Sequence, residues 1–389
     1  MHCSNRMQAL GASIFAELTD HRRALEANGV QTIDLSIGSP NIPPAPHIRA
    51  VIERETAKPE NYVYAIKDTH ALEQAAAAWY KTRYGVTLCP DTEVTSLLGS
   101  QDGLSHIALT IVDPGDAVLA PDPCYPIFKT GAQLAGGMVC PMPQKRENGY
   151  IIDLEAIGED VARRAKLMIV SYPNNPTTAM APPSFYEELV AFAQKYGIVV
   201  VHDNAYSDLV FDGKKGGSFL SYPGAKEIGI EFNSLSKNYG MAGCRIGFAL
   251  GNQEIIGRLK SLKSNIDYGL FLPLQKAAIA AITGPYDCVR ETAKAYETRR
   301  DVLCACFGEI GWNVEKPPAT MFCWAQLPKG YEDSRAFALE LMQKTGVIVT
   351  PGAAFGYEGE GHVRIALVQD EPAIREAAER IARSRMIDG

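Results

Sequence analysis

Short runs of almost wholly apolar residues alternate with longer helical patterns between residues 93 and 250, and this rhythm limits the possible folds more than any other feature of the chain. The strand candidates are Glu93–Leu98, Ala117–Ala120, Leu167–Tyr172, Ile198–His202, Ile228–Ser234 and Ile246–Leu250. Several are apolar at nearly every position, as strands covered on both faces must be. Helical stripes lie between them. Leu72, Ala75, Ala76, Trp79 and Tyr80 share one face, and Ser184 with Glu187 reads as a capping box ahead of Phe185, Leu189 and Phe192. Such alternation predicts an α/β fold with a mostly parallel central sheet covered by helices.

After Thr283-Gly284-Pro285 the rhythm changes. A long charged helix from Tyr286 to about Phe307 precedes short mixed strands, and a final helix carries Ile374, Ala377, Ala378 and Ile381 on one face. At ~100–200 residues per domain, 389 residues suggest two domains. The expected division is an N-terminal segment 1–46 packing as an irregular cover on the small domain, a large domain 47–283, and a smaller α+β domain 284–389.

A net charge of −7 argues against bulk attraction to nucleic acid or an anionic membrane. No apolar run approaches the ~20 residues that cross a bilayer, and the first residues lack a secretory pattern. The nine cysteines are scattered without metal-like spacing, so reduced thiols, no metal and a cytoplasmic location are expected.

In α/β sheets ligands gather at the carboxyl ends of strands. The loop Leu98-Gly99-Ser100-Gln101-Asp102-Gly103 leads into an apolar helix, and its residues suit either a phosphate at the helix start or a plain N-cap at Ser100. No Walker run and no clean G-x-G-x-x-G is present. In Pro121-Asp122-Pro123-Cys124-Tyr125-Pro126, prolines hold one aromatic that could stack on a planar ring or fill a core. Ser171-Tyr172-Pro173-Asn174-Asn175-Pro176-Thr177-Thr178 is compatible with a simple turn. Asp203 emerges from an apolar strand, where a carboxylate needs a cation or donor. Finally, Ser234-Leu235-Ser236-Lys237-Asn238-Tyr239-Gly240 puts one lysine among small residues, with Arg245 eight positions later. Desolvation can free such a lysine to attack a carbonyl, while an arginine can clamp a phosphate or carboxylate with its planar fork.

The string SLSKNYGMAGCRIG resembles the lysine signature of the class I and II aminotransferases, pyridoxal-phosphate enzymes of fold type I. GSQDG, PDPCYP, YPNNPT, HDNAY and GEGHVRIAL follow in that family's order, and the resemblance runs from Leu35-Ser36-Ile37-Gly38 to the last helix. It implies a pyridoxal 5′-phosphate cofactor, amino-acid and 2-oxoacid substrates, and a homodimer with composite sites. By the same resemblance Lys237 is the Schiff-base lysine and proton carrier, and Asp203 is the partner of the pyridine nitrogen. Tyr125 is the stacking ring, and Asn175 and Tyr206 bond the 3′-oxygen. Ser100, Gln101, Ser234 and Arg245 form the phosphate cup, and Gly99 and Ser236 also bind the cofactor. Arg364 fork-binds the α-carboxylate, aided by the Gly38 backbone and Asn175, and Tyr64 reaches the neighbouring subunit's phosphate. The chain departs from the pattern at Thr178, Cys124 and Cys244, and the stretch after Tyr64 is one residue short.

The implied activity is exchange of an amino group between an L-amino acid and a 2-oxoacid, as in amino-acid metabolism and biosynthesis. A C–S β-lyase of cystathionine-lyase type on the same fold is the alternative, since fold and cofactor do not fix the reaction. A transcription regulator on this fold would need a winged-helix domain ahead of it, and the stretch before Leu35 is too short for one. Ile14, Phe15, Ile37, Tyr64, Tyr268 and Phe355 are candidates for the wall that selects the side chain. No arginine is placed for a distal carboxylate.

Overall fold

The computed structural model describes residue 4, residue 7 and residues 14–387; the side chain of Phe15, a candidate wall residue, lies outside the described residues. The first strand, β1 (Ile33–Asp34), belongs to the N-terminal segment. The next seven are β2 (Val94–Leu97), β3 (Ala117–Asp122), β4 (Met138–Pro143), β5 (Ala165–Val170), β6 (Val199–Asp203), β7 (Gly229–Ser234) and β8 (Gly247–Gly251). They form one sheet in the order β2-β8-β7-β6-β5-β3-β4. Every pairing among β3 to β7 is parallel, whereas β8 runs antiparallel to both β7 and β2.

The direction of β8 has a local cause. Parallel strands need a long crossover, usually a helix packed on the sheet. Residues 235–246 instead stay at the strand end as the short helix Leu235–Asn238, a 3-10 turn and the loop between them, so the chain returns antiparallel. The lysine signature is thereby kept at the carboxyl end of the parallel strands, where Leu235, Tyr239, Met241 and Ile246 anchor it in the core.

Alternate residues of each strand enter opposite cores, as period-two geometry requires. Val118, Ala120, Ile169, Val201, Ile230 and Phe232 join the layer of helix Ser100–Ile111. Ala117, Leu119, Met168, Val170 and Val200 join the other, with Leu72, Ala76 and Tyr80 of helix His70–Tyr84. All five residues of the predicted stripe on this helix are buried.

The remaining strands are β9 (Phe322–Gln326), β10 (Val347–Ile348), β11 (Thr350–Pro351) and β12 (His362–Ala366). The antiparallel sheet β11-β12-β9 and the parallel pair β1-β10 lie over a separate core, where Phe322, Val363 and Ile365 meet Ile374, Ala377, Ala378 and Ile381 of helix Glu371–Ser384. Tyr206 and Leu209 enter this core as well, which brings it against the end of β6.

Three expectations are corrected. The N-terminal segment is not irregular throughout: Ile14–Ala27 is a helix whose Leu18 packs on Met342 and Ile348. The capping box is absent, because helix Pro183–Tyr196 starts with proline at its first position and Pro182 as N-cap, which places Ser184 inside the first turn. The edge strand β4 carries Pro141 and Pro143 and exposes much of its surface, so it lacks the apolar signature used to find the others. Among the described residues no helix is long and apolar enough to cross a membrane.

Candidate active site

The strand-end loops converge on a cavity of about 520 Å³. Its lining brings together Ser100 and Gln101 after β2, Tyr125 after β3 and Asn175 after β5. Asp203 and Tyr206 enter from the end of β6, and Ser234, Ser236, Lys237 and Arg245 from the turn after β7. Gly38 comes from the segment after β1 and Arg364 from β12, so the small sheet closes the site. Gly99 lies beside the cavity as the residue preceding helix Ser100–Ile111. Tyr64 is not brought in. It is 83% exposed and makes an edge contact with Tyr268 at 5.9 Å. A larger groove of about 860 Å³ beside Arg83, Asp208 and Tyr286 holds none of the residues predicted for the site.

Lys237 projects from the first turn after β7 and donates from Nζ to the Gly38 carbonyl at 2.7 Å. Burial, together with the charges of Arg364 and Arg245, lowers its ammonium to about 8. Gly38 is needed at this crossing, because a Cβ there would meet the Phe322 ring at 2.5 Å. Asp203 ends β6, and burial pushes its carboxyl up to about 7, opposed by His202 and Lys237. Its Oδ1 is buried with no hydrogen-bond partner among the described residues. A buried acceptor of this kind requires a donor, and the N–H of a protonated pyridine supplies one.

Arg364 is 3% exposed. It donates from Nη1 to Asn175 Oδ1 at 2.8 Å and from Nη2 to the Ser36 carbonyl at 2.8 Å. Phe322 and Phe355 flank the guanidinium at 4.1 and 4.7 Å from their ring centres, which fixes its plane. Burial lowers its pKa to about 10, so it remains a cation at neutral pH. Tyr206 packs edge-on against Phe322, and burial raises its phenol well above the usual range. Tyr125 is oriented by the bond from its hydroxyl to Gln101 Oε1 at 2.9 Å.

The opposite end of the cavity is polar and electropositive. The amino end of the twelve-residue helix Ser100–Ile111 has no side-chain cap and places its positive dipole end at the cavity, which Ser100 and Gln101 line. Arg245 holds a left-handed backbone (φ 53°) and donates to the carbonyls of Ala242 at 3.0 Å and Leu98 at 3.3 Å. Ser234 accepts from the Ser236 N–H, leaving both hydroxyls at the cavity. A phosphate at this end, an aromatic ring between, and a ring nitrogen at Asp203 fit the donor set and the orphaned acceptor.

Sequence reasoning missed Ser36 and Phe322, which orient Arg364 through a backbone oxygen and a ring face that carry no sequence signal. Of the wall candidates, Ile37 lines the cavity and Phe355 acts through Arg364; Ile14 packs with Leu18 instead. Thr178 adopts φ 65°, the backbone region that favours the glycine often found at this place in the resembling family.

The sequence matches the family described as "Aminotransferase class I and II" over residues 30–381. It is 46% identical to the LL-diaminopimelate aminotransferase of Moorella thermoacetica over 98% of both chains. It is 44% identical to the enzyme of the same name from Desulforudis audaxviator, over 97% of this chain and 96% of that one. The fold superposes on substrate-bound BacF from Bacillus subtilis with a TM-score of 0.95, 36% identity and 98% coverage of both. The probable N-succinyldiaminopimelate aminotransferase of Thermus thermophilus gives 0.90 with 37% identity, covering 96% of this chain and all of that one.

Proposed function

The chain belongs to the class I and II aminotransferases and is a pyridoxal-phosphate-dependent aminotransferase; from that premise we propose that its amino donor is LL-diaminopimelate. The aminotransferase reading of the sequence stands over the C–S lyase alternative. Its substrates are amino acids and oxo acids. The observation that carries the donor is the near full-length identity, 40–46%, to relatives that bear the name LL-diaminopimelate aminotransferase.

When bound, the cofactor supplies an electron sink that weakens the bonds at the Cα of the amino acid. The chain's residues do the rest. Arg364, held flat between two phenylalanines and bonded to Asn175, binds and orients the α-carboxylate. Lys237 holds the cofactor and then moves a proton at Cα; a pKa near 8 leaves a useful fraction of neutral amine. Asp203 keeps the ring nitrogen protonated, Tyr206 and Asn175 donate to the 3′-oxygen, and Tyr125 covers one ring face. Gly99, Ser100, Gln101, Ser234, Ser236 and Arg245 hold the phosphate.

The working unit is a homodimer in the cytoplasm. Tyr62, Val63, Tyr64 and Ile66 form an exposed apolar run that a second subunit would cover, and the eight described cysteines are free, as in a reducing compartment. The division into a cover (1–46), a large domain (47–283) and a small domain (284–389) accords with separate cores on the central sheet and over the small sheets.

A donor panel tests the assignment. With 2-oxoglutarate as acceptor, kcat/KM for LL-diaminopimelate is expected to exceed that for alanine, aspartate and methionine by at least about tenfold, one buried charge-assisted hydrogen bond's worth. A preference for any of these over LL-diaminopimelate overturns it.

A further inference from the structure

Behind Asp203, on the far face of the central sheet, lies a titratable pair that the mechanism above does not use. His202 and Glu231 are both 0% exposed, and they stand opposite each other in the register of β6 and β7. Successive side chains on a strand point to opposite faces, so His202 points away from the cavity that Asp203 enters. Glu231 accepts from His202 Nδ1 at 2.9 Å and the Phe219 N–H at 2.8 Å on one oxygen. Its other oxygen accepts from Tyr80 at 2.8 Å, Asn204 at 3.0 Å and Ser218 at 2.8 Å. The same carboxylate therefore grips the residues on both sides of Asp203.

A carboxylate surrounded by donors is ionised, and a fully buried anion needs a counter-charge. Among the described residues no lysine or arginine donates to it, and His202 is the one base bonded to it. Tyr80 and Tyr186, the phenols facing the pair, are pushed well above their usual range by burial and stay neutral. Tyr186 sits 3.4 Å from His202 Nε2 and can accept from it.

We propose that His202 is an imidazolium paired with Glu231 and acts as the positioning residue that holds Asp203 anionic and aligned. This rests on the reading that Asp203 faces the ring nitrogen. Burial is the largest influence on the Asp203 carboxyl and disfavours its charge, as does Glu231 more weakly; His202 is the foremost of the charges that favour the carboxylate, ahead of Lys237. The histidine thus has to carry its proton for the pair to help.

Nitrogen-detected NMR of ¹⁵N-histidine holoenzyme, assigned with His202→Gln, is expected to show both His202 ring nitrogens protonated at neutral pH. A bare Nε2 overturns the proposal without any variant having to work. The second measurement is the ratio of apoprotein affinities for pyridoxal phosphate and for its analogue with carbon replacing the ring nitrogen. His202→Gln should lower this ratio on the order of tenfold, the scale of one charge at a neighbouring buried site, while a purely structural role would leave it unchanged. Asp203→Asn is the control. If it too leaves the ratio unchanged, the Asp203 reading fails and the proposal with it; if it lowers the ratio and His202→Gln does not, only the proposal falls.

Discussion

The Arg245 guanidinium occupies the space in which a side chain on Gly99 would begin: a Cβ built there overlaps it. Gly99 has φ 80° and ψ 159°, a conformation almost confined to glycine. Glycine at position 99 is therefore what allows the arginine to reach across the end of β2 to the Leu98 carbonyl. Gly99→Ala should strain the turn by about 1–3 kcal/mol and displace Arg245. We expect pyridoxal-phosphate affinity to fall about tenfold or more, by loss of a charged hydrogen bond, with little change in secondary structure. Equilibrium binding to apoprotein checks this, and wild-type affinity in Gly99→Ala would show that Arg245 does not need the gap.

Lys237 gives a pH prediction with a definite sign. Its pKa is lowered to about 8, and only the neutral amine attacks a carbonyl. The rate at which apoprotein captures the cofactor should rise through about pH 8 and level off above it. Arg364 is the largest of the charges lowering this value, so Arg364→Leu should move the midpoint upward. A downward shift, followed by cofactor absorbance, would contradict the electrostatic account.

The plane of Arg364 is held by Phe322 and Phe355, and its two terminal nitrogens have assigned acceptors. Lysine keeps the charge but loses the planar fork. Arg364→Lys should reduce kcat/KM about 10- to 100-fold, the range for one charged hydrogen bond, for every amino donor alike. A loss limited to one donor would place Arg364 at the side-chain end of the substrate.

Tyr64 lies outside the cavity of its own chain, exposed beside Tyr268. If it serves the neighbouring site, Lys237→Ala chains mixed with Tyr64→Phe chains give hybrids with one intact site and one lacking both groups. Random pairing then returns activity to about a quarter of wild type, since a two-fold dimer exchanges equal patches. Activity no greater than the sum of the unmixed parents would assign Tyr64 to its own subunit.

The parts of the site most legible in the sequence are those whose chemistry is confined to a short segment. The strand-end loops could be located because parallel strands buried on both faces show as apolar runs, and each run ends where a polar loop must begin. Lys237, Asp203 and Arg245 stood out for the same reason: each is a charged group next to a buried strand. The edge strand β4 was not legible, since its prolines and exposed positions remove that contrast. The spacing of Ser184 and Glu187 imitates a capping box, but the proline before Ser184 already starts the helix.

The order of elements, the two-faced burial of the central strands and the lysine-bearing turn follow from the chain's local pattern, because they depend on periodicity and on neighbours a few residues apart. Three-dimensional packing alone lets Ser36 and Asn175 share Arg364, sets Phe322 against both the arginine and Tyr206, and brings Glu231 to the residues flanking Asp203. These contacts join groups far apart along the chain. Their directions follow from how the small sheet docks on the strand ends, and no local preference of the backbone encodes that docking.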